Sequence, residues 1–164
     1  MTDTFLTKAK LRPKGHFYEE FELGQVFEHH WGRTLNESDN SLFSTLTIQA
    51  NPLYFNAEFA KAHGHKGIVL NPMIVFGTVF GLSVEDLSEA GGAFLGVDDL
   101  TFEGHVYPDD TLTACSEVIN KRESEKNPDV GIVTWHTQGF NQKGERIIEF
   151  KRTNMVSKKG AGIL

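Results

Sequence analysis

Cysteine is nearly absent from this chain: of 164 residues, only Cys115 carries a thiol. That excludes an internal disulfide framework and any zinc module built on several cysteines. Positive charge is scarce too. Sixteen Lys and Arg face 22 Asp and Glu, a formal charge of −6, so nucleic-acid binding through a broad basic surface is not expected. No long hydrophobic run exists. The longest apolar stretch, 68–82, is interrupted by Asn71 and Pro72 and is too short to span a bilayer comfortably. The opening MTDTFLTKAKLRPKG lacks the unbroken apolar core of a signal peptide. His29 and His30 are adjacent on an expected strand and so point to opposite faces, and no His-x₃-His pattern occurs. No metal site is therefore expected. These absences predict a soluble, cytoplasmic protein with no membrane or nucleic-acid partner.

What is present is globular in balance. Hydrophobic residues make up 39% and charged residues 23%, with 13 Phe, well away from disordered compositions. Residues 1–15, polar and basic, and the tail 157–164 read as flexible ends around one domain over 16–156. Within it, Gln25–Thr34 has the alternation of a strand. Asn36 offers a helix N-cap, with Glu37 and Asp39 in the first turn and Leu42, Phe43 and Leu46 as the apolar stripe. Asn51-Pro52 breaks that helix, and a short one over 57–62 ends at Gly64.

The segment NPMIVFGTVFGLSVEDL carries the most information. Asn71 is placed to cap and Pro72 to open a helix that leaves almost no polar face, so it must be enclosed. Gly77 and Gly81, four apart, make one line of it smooth. Four strand candidates follow, near 94–106, 111–123, 131–141 and 145–156, with hairpin signals at Pro108-Asp109-Asp110 and Asn141-Gln142-Lys143-Gly144. About five antiparallel strands and one buried central helix pack most simply with the sheet curled around the helix. The expected class is α+β, a single hot-dog domain.

Several blocks at consistent spacing resemble the MaoC-like dehydratase family of hot-dog proteins. They are FYEEFELGQVFEHHWGRTLNESDNSLFSTL, NPLYFNAEFAKAHG, NPMIVFGTVFGLSVEDL, VYPDDTL and GIVTWHTQGFNQKGERIIEFKRTNMV, covering roughly 17–156. The opening block and VFGLSVEDLSEAGG are most similar to the mesaconyl-CoA hydratase branch. The resemblance implies a hydro-lyase acting at the 2,3-double bond of a short, carboxylated enoyl-CoA. It also implies no cofactor beyond the CoA of the substrate, and a homodimer or higher homo-oligomer with the thioester entering between subunits. Exposed sheet edges, paired across a two-fold axis, would favour such a dimer.

Hydration needs a base for water, an acid for the α-carbon and donors for the enolate oxygen. A helix N-terminus suits the last task. Met73 and Ile74 would supply its amides, since Pro72 has none. Well-known members of the family carry an Asp-x-Asn-Pro-x-His segment, and aligning on Asn51-Pro52 puts Gln49 and Tyr54 at its acid and histidine positions. Neither is a ready base at neutral pH. His63 and His65, just before the helix, are the replacement candidates. Asn51 and Asn71 are candidates to orient water or thioester, or are turn and cap residues only. The other reading is a non-catalytic acyl-thioester-binding protein or an inactive subunit.

Overall fold

A helix of apolar residues cannot be stable in water until a sheet covers it, and the chain is arranged around that need. The structure, a computed structural model, describes residues 15–161. The expectations for 1–14 and 162–164 lie outside the described residues. Six strands, β1 (Val26–Glu28), β2 (Arg33–Thr34), β3 (Phe94–Phe102), β4 (Thr111–Glu123), β5 (Val130–Phe140) and β6 (Arg146–Ser157), form an antiparallel sheet. The order is β1-β4-β5-β6-β3, with β2 also on β4. Helices α1 (Glu37–Leu46), α2 (Ala57–Ala62) and α3 (Pro72–Leu87) precede β3. The sheet curls around α3, the expected hot-dog layout. The strand expected over Gln25–Thr34 is broken in two, because His29 turns inward between its halves and is buried.

On β5 and β6 the period-two alternation puts Val133, Trp135, Ile148, Phe150 and Val156 inside. Helix α3 lies on that face through Val75, Val79, Ser83 and Leu87, every fourth residue. Gly139 of β5 permits a close approach. A Cβ there would sit 2.6 Å from a Val79 methyl carbon, so any side chain would push the helix off the sheet. The opposite stripe, Met73, Gly77 and Gly81, is exposed. The enclosure predicted from the helix's apolar sequence is therefore half complete, because this chain's sheet covers one side only.

Helix α1 also departs from expectation. Asn36 caps it through Asp39 as predicted, but Leu42 and Leu46 are 64% and 73% exposed, while Asn40 and Ser44 are buried. Its polar face turns inward because the start of α3 needs hydrogen-bond partners there.

The far end of α3 is tied down by charge. Arg152 of β6, 1% exposed, donates to Ser83 Oγ at 2.8 Å, to Ser88 Oγ and to Asn154 Oδ1 at 2.9 Å. Its guanidinium lies 4.1 Å from the centre of the Phe80 ring. Burial lowers its pKa to about 10, so it remains cationic at neutral pH beside the negative end of the helix dipole. His29 reaches the same end. Its Nδ1 is 2.6 Å from Asp86 Oδ2 and its Nε2 is 2.9 Å from Ser116 Oγ.

Burial pushes the His29 imidazole below its ordinary range, more than Asp86 pulls it up. Between the ordinary value of about 6.5 and the lower folded value, the unfolded chain binds more protons than the native one. Stability therefore rises with pH through that window and falls on acidification. Thermal unfolding followed at steps from pH 7.5 down to 5 is expected to show a falling midpoint, with the slope reduced in His29→Asn. An equal slope in the variant would contradict this.

Candidate active site

The start of α3 is fixed by one side chain. Asn71 is fully buried, and its Oδ1 accepts the Met73 N–H at 2.9 Å. Its Nδ2 donates to Ser44 Oγ at 3.1 Å and to Gln49 Oε1 at 3.0 Å. Its backbone N–H donates to Asn40 Oδ1 at 2.8 Å. Asn40 in turn donates to the carbonyls of Tyr54 and Val69. In a buried setting each of these polar groups would be costly if unpaired. The network accordingly welds α1, the Pro52–Tyr54 turn and α3 into one support.

Beside that support opens a cavity of about 400 Å³. Its polar lining is Tyr54, His65, Glu103 and His105, and its apolar floor includes Leu53, Val69, Pro72, Val75 and Phe102. Tyr54 is half-buried, burial raises its pKa, and its hydroxyl makes no hydrogen bond among the described residues. It is a protonated, uncommitted donor. His65 Nδ1 lies 3.2 Å from the Tyr107 hydroxyl. The His105 ring stands edge-on to it, centroids 4.7 Å apart at 87°. Lys66 Nζ sits 4.3 Å from the centre of the Tyr107 ring. Glu103, on the same wall, is held by Arg146 at 2.6 Å.

The predicted site residues divide accordingly. Tyr54 and His65 are brought together on the cavity. His63 is not: its ring stacks on Phe59 at 4.0 Å and its Nδ1 donates to the Phe59 carbonyl at 2.8 Å. Gln49 turns to Asn71 instead of the cavity. Asn51 is exposed and caps the short turn by accepting the Leu53 N–H at 3.0 Å. The Met73 and Ile74 amides, expected to be free for a carbonyl oxygen, are both taken by Asn71, the latter through its carbonyl at 3.1 Å. The cap that fixes the helix start also consumes its first donors. His105 escapes a reading of the sequence by segments because it lies 40 residues from His65. The available signal is its spacing from Tyr107, since residues two apart in extended chain share a side.

A family model described as mesaconyl-CoA hydratase matches residues 1–162. The mesaconyl-CoA hydratase of Haloarcula marismortui is 35% identical over 96% of this chain and 44% of its own length. The beta-methylmalyl-CoA dehydratase of Chloroflexus aurantiacus is 37% identical over 92% of this chain and 42% of its own. A solved structure described as a MaoC domain protein dehydratase, also from Chloroflexus aurantiacus, superposes with a TM-score of 0.85 at 35% identity, covering 96% of this chain and 45% of that one. The chain thus spans less than half the length of these relatives.

Removing the Asn71 side chain orphans the Met73 amide and strips partners from Ser44 and Gln49. Asn71→Ala is expected to cost about 2–3 kcal/mol in urea unfolding, against under about 1 kcal/mol for Asn51→Ala at its exposed turn. Equal losses would show that the buried network contributes little beyond an ordinary cap.

Proposed function

The chain belongs to the mesaconyl-CoA hydratase family, and from that membership we propose that it is a lyase adding water to, or removing it across, the 2,3-double bond of a short enoyl-CoA of the mesaconyl type. The observation that carries this reading is the cavity beside the N-terminus of α3, with a protonated Tyr54 hydroxyl and an imidazole on its wall. As water attacks C3, the electron pair of the C2=C3 bond moves toward the thioester oxygen. A neutral donor aimed at that oxygen stabilises the developing charge. Tyr54 fits this role because burial keeps its proton on. The positive end of the α3 dipole adds to it, even with the first amides engaged by Asn71. Gln49 then acts at one remove, by holding Asn71. Proton transfer falls to an imidazole on the cavity wall, where His65 and His105 stand and His63 does not. The reaction draws on no cofactor beyond the CoA of its substrate, and we place it in the cytoplasm.

The working unit we propose is a homodimer. Along the outer edge of the sheet, β3 exposes Phe94, Leu95 and Phe102, and the open stripe of α3 is smooth at Gly77 and Gly81. A groove of about 470 Å³ runs there between Trp31, Phe43, Ile74 and Leu82. A second copy would cover both and protect the edge from unwanted pairing. Phe102 lines the cavity as well as the edge, so the thioester would enter near the seam.

Loss of the conjugated enoyl-thioester absorbance on adding mesaconyl-CoA is the expected result. Tyr54→Phe should lower kcat by roughly 10²-fold, as when an oxyanion donor is removed. Calorimetric binding of the ester without any turnover would replace the hydratase reading with a thioester-binding one. Sedimentation at micromolar concentration should give twice the mass of the chain, and a stable monomer would refute the dimer.

A further inference from the structure

We infer that His105 is the catalytic residue that moves the proton in this cavity, and that His65 is a positioning residue for it. The inference rests on the hydratase reading above and adds the group that reading leaves open. Three candidates for proton transfer line the cavity: Glu103, His65 and His105. Glu103 is paired with Arg146, with contacts of 2.6 and 2.8 Å. Its carboxylate oxygens are thus already engaged by the guanidinium. His65 has one ring nitrogen committed to Tyr107. His105 makes no hydrogen bond among the described residues, and its ring contact is the edge-on one with His65. Of the three, it alone keeps both nitrogens available to substrate.

The contact with His65 orients that ring without using its polar atoms. Tyr107 is gripped by the Lys66 ammonium over its face and by His65 at its hydroxyl. His65 then presents its ring to His105 at nearly a right angle. The peptide N–H of Leu70 donates to the Val106 carbonyl at 2.9 Å, pinning the loop that carries His105 and Tyr107 next to the start of α3. An oriented imidazole beside the bound double bond supplies proximity that free buffer cannot.

The step balances with one water. An unpaired nitrogen of neutral His105 takes a proton from water as the oxygen bonds to C3. The π pair of C2=C3 shifts toward the thioester carbonyl held by Tyr54. The imidazolium then delivers that proton to C2, and His105 returns to its starting form. Dehydration runs the same steps backwards.

The test compares parent, His105→Ala and His65→Asn with mesaconyl-CoA, after circular dichroism has shown that each is folded. His105→Ala should lose roughly 10²–10⁴-fold in kcat with little change in KM, and added imidazole should restore part of the loss. His65→Asn should lose about tenfold in kcat with KM unchanged, and imidazole should not restore it, because the proton carrier is still present. A His105→Ala variant within about threefold of the parent, or a loss that imidazole leaves uncorrected, overturns the assignment while the hydratase reading stands. A parent protein that turns over no enoyl-CoA removes both together.

Discussion

Everything near the cavity depends on a buried asparagine having all its hydrogen bonds. Asn71 cannot leave water unless Asn40, Ser44, Gln49 and the Met73 amide meet it, and those groups come from α1, the segment just after it and the first turn of α3. Satisfying one side chain therefore fixes where α1, the Pro52–Tyr54 turn and α3 stand relative to each other. Tyr54 is placed on the cavity as a by-product, because its own carbonyl is one of Asn40's partners. Polar residues give this region its uniqueness, while the apolar face of α3 against the sheet, with Leu112 and Ala114 of β4 beside Ile148 and Phe150 of β6, supplies apolar burial.

Much of this was legible in order along the chain. Asn36 with Asp39, Asn71 with Pro72, and the Asn141–Gly144 turn each carry a local signal whose physics needs no distant partner. The family blocks extended that to the whole domain. What could not be read was where local preference yields to a distant need. Leu42 and Leu46 have the spacing of a core stripe, yet α1 buries Asn40 and Ser44, because the hydrogen bonds demanded by Asn71 outweigh the burial of two leucines. The Met73 and Ile74 amides looked free because an asparagine before a helix can orient a ligand or cap the helix, and sequence does not choose. His105 had only its spacing from Tyr107 to announce it. Its meaning comes from His65, brought beside it by the fold.

The Asn-Pro segment of this hot-dog domain carries Gln49 and Tyr54 in place of the carboxylate and histidine of well-known family members. Gln49 and Tyr54 preserve hydrogen-bonding capacity there but give up titration. The imidazoles and the carboxylate on the cavity come from elsewhere, His65 from the turn after α2 and Glu103 and His105 from the stretch leading into β4. For the proposed reaction, a support that does not change charge beside a wall that can is a workable division of labour.

That division runs the length of α3. The residues seating its first turn are amides and hydroxyls, which hold the same charge from acid to alkali, whereas its last turn leans on His29 and Asp86. Mild acid therefore acts on the helix unevenly. It loosens the end remote from the cavity and leaves the end beside Tyr54 anchored, so the pocket would outlast the first stage of acid fraying.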